Sequence, residues 1–161
     1  MSSPEVRVRL AEGASSGLAA LLAQYLSQVL ADGDAERRRA RRLRGRVGIT
    51  ARDHGASVTL DLVGDEIVVR DGIAPPLDAA IAAPYQALLE LLRGEGHPLR
   101  DHLRGRLRVQ ISARRPLLPL RVYGLMRLRP EAAPRRGRRL LVAGLLGAAA
   151  IAVVVVLARA R

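Results

Sequence analysis

Residues 45–72 read "GRVGITARDHGASVTLDLVGDEIVVRDG", and this stretch decides the fold because its apolar residues recur at every second position. Val47 and Ile49 alternate with polar or small residues, and the same period continues through "ASVTLDLV" and "GDEIVVRDG". That spacing places successive apolar side chains on one face of a β-strand. The connections "DHGA" and "GDE" are short enough to join antiparallel neighbours. The stretch therefore predicts a three-stranded meander with one apolar face, of the kind that helices cover.

The residues before the meander predict two helices. Over residues 18–30, apolar side chains recur at spacings of three and four, which is the period of an amphipathic helix. Ser15 or Ser16 is suited to cap the first turn of this helix, and Gly33 is suited to end it. The next residues, "DAERRRARRLRGR", predict a short and strongly basic helix with Asp34 as its N-cap.

The residues after the meander predict further strands and helices. Residues 77–82 predict a weak strand, and Pro84 is suited to open a helix with leucines along one face. Another strand is predicted in "GRLRVQIS", residues 105–112, where apolar and polar residues again alternate. Residues 114–130, "RRPLLPLRVYGLMRLRP", predict a short amphipathic helix that lies either on the domain or on a membrane.

The stretch "LLVAGLLGAAAIAVVVVLA", residues 140–158, carries no charged side chain. As a helix it would be about 28 Å long, close to the hydrocarbon thickness of a bilayer of about 30 Å. We therefore expect a single transmembrane helix, and with only residues 159–161 after it, a tail-anchored protein. Ala143 with Gly147 has the small-xxx-small spacing that supports pairing of two such helices in a homodimer.

Four arginines just before this stretch favour an orientation with the preceding domain facing the cytoplasm. We expect them to lie at the membrane surface; they are Arg135, Arg136, Arg138 and Arg139. The predicted organisation is an N-terminal segment (1–14), a domain (15–129), a basic Pro/Gly linker (130–139), the transmembrane helix (140–158) and a C-terminal stub (159–161).

The chain has 27 basic residues, all arginine, against 15 acidic ones, and its formal net charge is +12. Such an excess predicts an anionic partner. The densest run is "RRRARRLRGR", residues 37–46, which fits either a surface for anionic lipid headgroups or a solvated helix face. We do not expect nucleic acid as the partner, because no aromatic residues for base stacking are interleaved with these arginines.

Nothing in the sequence predicts catalysis. The chain has no cysteine and only three histidines, which are scattered, so we expect neither a metal site nor a cofactor. It also lacks a Gly-rich phosphate loop and a nucleophile elbow. We therefore expect a protein that is not an enzyme.

The order of these elements resembles the sterol carrier protein type 2 family of lipid-binding domains. The resemblance is carried by the meander, by "LDAAIAAPYQALLELLRGEGHP" and by "LRGRLRVQI", and it covers roughly residues 15 to 115. It implies an α+β fold with about five mostly antiparallel strands, covered by helices, and an apolar tunnel between sheet and helices. Family members hold sterols, acyl chains or other lipids there, and some bacterial relatives are accessory factors in isoprenoid quinone synthesis.

The candidate tunnel walls are the apolar residues that the strand and helix periods turn towards the helix-covered face. They are Leu60, Leu62, Ile67, Val69, Leu88, Leu92, Leu107 and Val109. The alternative is that these side chains fill a closed core, since periodicity does not distinguish a core from a cavity. The sequence thus favours a membrane-tethered, non-catalytic domain that binds a lipid and presents it to a partner enzyme of unknown identity. The alternative is a membrane-anchored scaffold or accessory protein with a closed core.

Overall fold

The computed structural model describes residues 5–93, 95 and 97–126. The strands are β1 Arg7–Leu10, β2 Arg44–Ala51, β3 Ala56–Val63, β4 Glu66–Asp71, β5 Ala79–Ala83 and β6 Arg108–Ile111. The helices are α1 Gly17–Asp32, α2 Asp34–Ala40, α3 Tyr85–Arg93, α4 Pro98–Leu103 and α5 Leu118–Met126. The fold is therefore of the α+β class, as the sequence predicts.

The strands form one mixed sheet in the order β1-β4-β3-β2-β5-β6. The predicted meander is confirmed, because β3 pairs antiparallel with both β2 and β4. β6 also runs antiparallel to β5, whereas β1 pairs parallel with β4 and β5 pairs parallel with β2. In the described part of the chain the sheet has six strands, not the five expected, and antiparallel pairs are in the majority.

The additional strand is β1, which lies within the predicted N-terminal segment. Its signal is present in "VRVRL", residues 6–10, where apolar residues alternate with arginine. Val8 pairs with Ile67, and the Arg9 side chain forms an ion pair with Glu66 on the neighbouring strand. The segment before α1 is thus part of the sheet.

Helices cover one face of the sheet. The oxygen of Ser16 accepts a hydrogen bond of 3.1 Å from the backbone N–H of Ala19, which confirms Ser16 as the cap of α1. The expected cap of α2 is wrong. Gly33 occupies that position, and Asp34 is the first helical residue, where its carboxylate pairs with Arg37 instead of with a backbone N–H.

The helix α5 packs on the domain, which decides between the two positions that the sequence left open. Its buried residues include Leu118, Val122, Leu125 and Met126. They join the same apolar core as α1 and the sheet. The solvent side of this short helix carries Arg121.

The opposite face of the sheet is covered by a crossover connection. Residues 72–78 link β4 to β5, which lies on the far side of β3 and β2, so this connection passes over both strands. It packs closely because β2 has Gly48 beneath it: a Cβ there would lie 2.8 Å from Leu77 and 3.0 Å from Ile73. The hydroxyl of Thr59 donates to the Gly72 carbonyl at 2.8 Å.

Several predicted features lie outside the described residues. They are the linker 130–139, the apolar stretch 140–158, the stub 159–161 and the four arginines Arg135, Arg136, Arg138 and Arg139. Among the residues that the structure does describe, no helix has the length and apolar composition that crossing a bilayer requires.

Candidate functional site

An apolar cavity lies between the helices and the sheet. Its walls come from α1, α3 and α5, and its floor from β2 and β5 through Ile49 and Ile81. The described wall residues on the helices are leucines, Val122, Met126 and two tyrosines, Tyr85 and Tyr123, whose hydroxyls are the only polar groups among them. The cavity has a volume of about 50 Å³.

The predicted wall residues divide between the cavity and the core. Leu88 and Leu92, both on α3, line the cavity. The others lie in the sheet or next to it, in the packed core beside the cavity: Leu60, Leu62, Ile67, Val69 and Leu107 are buried there, and Val109 packs against them half-buried. Their contact with a ligand stays a prediction.

Asp71, at the end of β4, positions the start of α1, which forms one wall of the cavity. Its carboxylate accepts hydrogen bonds from the backbone N–H groups of Ser15 and Ser16, at 2.7 and 2.9 Å, and from the Ser16 hydroxyl. The Ser16 hydroxyl and these two N–H groups hold the pKa of Asp71 below its ordinary value of 3.8. The carboxylate therefore stays ionised and ties α1 to the sheet.

Asp53, in the β2–β3 turn, positions the start of α3, another wall of the cavity, in a similar way. Its carboxylate accepts a hydrogen bond of 2.7 Å from the backbone N–H of Tyr85, the first residue of α3. This N–H holds the pKa of Asp53 below 3.8. The neighbouring His54 ring lies 4.8 Å from the ring of Tyr85. The turn thus positions the start of α3, directly after Pro84.

Tyr25, on α1, contacts the C-terminal ends of the other two wall helices, α3 and α5. Its hydroxyl, on α1, lies 2.8 Å from the carbonyl oxygen of Leu92 and also contacts the carbonyl oxygen of Met126. A hydroxyl has one hydrogen, so it donates to one of these carbonyls at a time. Because Leu92 and Met126 both line the cavity, this hydroxyl links α1 to the end of α3 or of α5 at the cavity edge.

This arrangement is suited to holding an apolar group. Burial of apolar surface is favourable by about 25 cal/mol per Å², and most of the described lining residues are aliphatic. Ligand pockets usually measure about 300–1,000 Å³. The cavity as it stands is therefore too small for a whole lipid chain unless its walls move apart. Within the described residues, no group of three or more His, Asp or Glu side chains is placed to hold a metal ion.

Sequence reasoning missed the residues that orient the walls. Asp53 follows β2 and Asp71 is the last residue of β4, positions where an acidic residue usually indicates only a turn. Their contacts with Tyr85 and Ser16 join residues 32 and 55 positions apart, so no local pattern signals them. The cavity residues Ile49 and Ile81 do follow the period of their strands, which predicts their face but not the space above them.

A mixed sheet with helices over one face and an apolar cavity between them is an architecture that can enclose an apolar group. The model of the SCP-2 sterol transfer family matches residues 22–110, more than half of the chain. The chain belongs to this family, whose domains bind lipids. No curated protein matches the chain significantly.

Solved structures have the same fold at low sequence identity. The chain is similar to a structure described as UbiJ-SCP2 ubiquinone synthesis protein, with a TM-score of 0.55, 18% identity, and coverage of 68% of this chain and 92% of that one. The chain is also similar to sterol carrier protein domain 2 of Helicoverpa armigera, with a TM-score of 0.54 and 15% identity over 75% of this chain and 99% of that one. Palmitated SCP2L2 from Aedes aegypti is similar with a TM-score of 0.51 and 12% identity over 73% of this chain and 100% of that one.

Proposed function

We propose that this protein is a membrane-tethered, non-catalytic lipid-binding domain that takes a sterol, acyl or isoprenoid lipid into the cavity between α1, α3 and α5. It presents this ligand to a partner at the cytoplasmic face of the membrane. The observation that carries the proposal is the cavity itself, which is lined mostly by apolar side chains. Eight of its thirteen lining residues lie within the region matched to a lipid-binding family, residues 22–110. The palmitated relative from Aedes aegypti supports the choice of an acyl probe.

Photocrosslinking of the full chain tests the ligand. The chain is incubated with photoreactive palmitate, a photoreactive sterol or a photoreactive prenyl alcohol, and the labelled peptides are identified by mass spectrometry. We expect labelling in α1, α3 and α5, where the cavity walls lie. Labelling confined to the region after Met126 would show that the probes only follow the apolar tail, and would overturn the proposed ligand site.

A pair of matched variants controls for unspecific labelling. Ile81→Trp places a larger side chain in the cavity, so we expect it to abolish labelling of the walls. Ile73→Trp is the control, because Ile73 is exposed on the opposite face of the sheet. Equal loss of labelling in both variants would argue for a general effect on folding instead of a blocked cavity.

The tether is tested separately from the ligand. Deletion of residues 140–161 should move the protein from the membrane fraction to the soluble fraction, because the proposed apolar span is lost. Replacement of residues 140–158 by an unrelated apolar stretch of equal length should keep it in the membrane fraction. Membrane retention of the deletion variant after a wash in about 1 M salt, which screens attraction between surface charges, would refute the tether and leave the lipid-binding proposal intact.

The volume of the cavity supports one alternative, an accessory protein with a closed core. A space of about 50 Å³ is too small for a lipid chain unless the helices move. The similar UbiJ-SCP2 structure carries a name from ubiquinone synthesis, so such an accessory role would be in isoprenoid quinone synthesis. Absence of wall labelling with all three probes, together with capture of a quinone-synthesis enzyme by the full chain, would favour this alternative.

A further inference from the structure

A basic cleft lies on the other side of α5 from the apolar cavity. It consists of two adjoining hollows of about 300 and 370 Å³, both bordered by Arg42, Leu43 and Arg121. The C-terminal end of α2 contributes Arg39 to one hollow, and the segment before α5 contributes Arg114 to the other. We call this surface the arginine cleft.

Acidic residues neutralise only part of the arginine cleft. Arg39 pairs with Glu36 at 3.5 Å, and Arg115 lies 3.6 Å from Asp78. Four other arginines of the cleft are exposed and form no ion pair with any carboxylate that the structure describes; they are Arg42, Arg44, Arg114 and Arg121. The surface therefore holds an excess of positive charge around two hollows that open to solvent.

An exposed leucine lies among these arginines. Leu117 borders the cleft with 46% of its surface exposed, next to Pro116. Apolar side chains ringed by arginine are typical of surfaces that insert into the headgroup region of a membrane. A surface for single-stranded nucleic acid usually adds aromatic side chains for stacking, and the described lining of both hollows contains none.

We infer that the arginine cleft docks the domain onto anionic lipid headgroups, with Leu117 inserted at the membrane interface. Val122 and Met126 face the apolar cavity from the same helix whose other side carries Arg121. A helix is about 10 Å thick, so docking through the cleft brings the cavity within one helix diameter of the bilayer. The inference adds an orientation on the membrane, and it holds whether or not residues 140–158 span the bilayer.

A single labelled cysteine tests this orientation in the full chain. Because the chain has no cysteine, Leu117→Cys carries the only site for an environment-sensitive fluorophore such as NBD. The control is Ile73→Cys, on the sheet face opposite the helices. Each labelled chain is added to phosphatidylcholine vesicles with or without phosphatidylglycerol, and doxyl-labelled lipids serve as quenchers within the membrane.

We expect the fluorophore at position 117, but not the one at position 73, to be quenched in vesicles that contain phosphatidylglycerol. The quenching should reverse in about 1 M salt, where the Debye length falls to about 3 Å. A fluorophore at position 117 that stays exposed to water on anionic vesicles would overturn the inference. So would equal quenching at both positions, since the tether alone explains proximity to the membrane.

Charge-neutral variants separate the cleft from the overall charge of the chain. Arg42→Gln, Arg114→Gln and Arg121→Gln together should lower the ratio of docked to undocked protein by about fivefold per arginine, on the order of a hundredfold in total. The matched control replaces three exposed arginines elsewhere, Arg7, Arg104 and Arg108, by glutamine. Equal losses in the two triple variants would reduce the effect to net charge and overturn a defined cleft.

An RNA oligonucleotide tests the competing explanation, in which the arginine cleft binds nucleic acid. If RNA changes the fluorescence at position 117 while anionic vesicles at the same ionic strength do not, the cleft is a nucleic-acid surface and the inference is wrong. Circular dichroism of all variants establishes that they are folded. Sedimentation with vesicles of pure phosphatidylcholine reports the tether independently, so its failure is distinguishable from failure of the cleft.

Discussion

The two faces of the central sheet are covered in different ways. On one face, helices α1, α3 and α5 pack through apolar side chains and leave a cavity above Ile49 and Ile81. On the other face, the connection 72–78 lies directly against Gly48 and is held to β3 by Thr59. On the helix face, hydrogen bonds hold the starts of α1 and α3 and the ends of α3 and α5. Between these points the helices pack through apolar side chains, which leaves room for an apolar group to enter. The face covered by the connection 72–78, called the loop face below, is held by hydrogen bonds to Thr59 and supports the sheet from behind.

The largest effect is expected where the sheet is most closely packed. Leu60→Ala, at a residue only 1% exposed, should lower the free energy of unfolding by about 2–5 kcal/mol, because it leaves a void in the core. Leu88→Ala, at 7% exposed and already bordering the cavity, should fall at the lower end of this range. Urea unfolding of the full chain measures both values.

The same two variants test which residues line the cavity and which belong to the closed core. Leu88→Ala enlarges the cavity and should increase labelling by photoreactive palmitate, whereas Leu60→Ala should leave the labelling pattern unchanged. A similar increase in both variants would mean that the ligand reaches Leu60, as the sequence predicts for a tunnel wall.

The face and type of most elements were predictable from the sequence, because strand and helix periods are local. The meander around residues 45–72 and the capping of α1 by Ser16 follow directly from such patterns. β1 was missed although "VRVRL" alternates, since a four-residue strand owes its stability to its parallel neighbour β4.

The site was less predictable than the fold. A cavity is the space that side chains from distant elements fail to fill, so the period of β2 or β5 places Ile49 and Ile81 on the correct face but leaves the packing above them undetermined. The arginine cleft is similar. Arg42 and Arg121 lie 79 positions apart in the sequence, and only the packing of α5 brings them to one surface.

The second prediction concerns the loop face. Thr59→Val removes the hydroxyl that donates to the Gly72 carbonyl and accepts from the Ala74 N–H at 3.0 Å. We expect a loss of about 1–3 kcal/mol, because both backbone groups lose their partner beneath the connection. Thr50→Val is the matched control on β2: its hydroxyl is half-buried and bonds only the Ser57 hydroxyl, so its loss should cost less. Similar costs in urea unfolding would contradict this difference between the two threonines.

The third prediction concerns the mobility of the helix face. Tyr25→Phe keeps the ring but removes the hydroxyl that contacts the carbonyls of Leu92 and Met126. The expected loss of stability is small, about 0.5–1.5 kcal/mol, as is usual for one hydrogen bond. Labelling by photoreactive palmitate should nevertheless become faster, because α3 and α5 separate more readily. An unchanged labelling rate would show that opening of the cavity does not involve the ends of these helices.

The smallest effect is expected from acid titration of the loop face. Burial disfavours the ionised form of Asp61, but hydrogen bonds from Arg70 and Arg46, each 2.5 Å, outweigh it and hold the pKa below 3.8. Because the folded chain binds this proton more weakly than the unfolded chain, the stabilisation is present above the unfolded pKa. It is lost as the pH falls through the folded pKa.

In Asp61→Asn this contribution is absent at every pH. We therefore expect the difference in urea midpoint between the wild type and this variant to shrink as the pH falls from about 5 to about 2. Asp53 and Asp71 also have lowered pKa values, so both proteins should still lose stability in acid through the anchors of α1 and α3. A difference that stays constant over this range would show that Asp61 stabilises the loop face by packing and not by its charge.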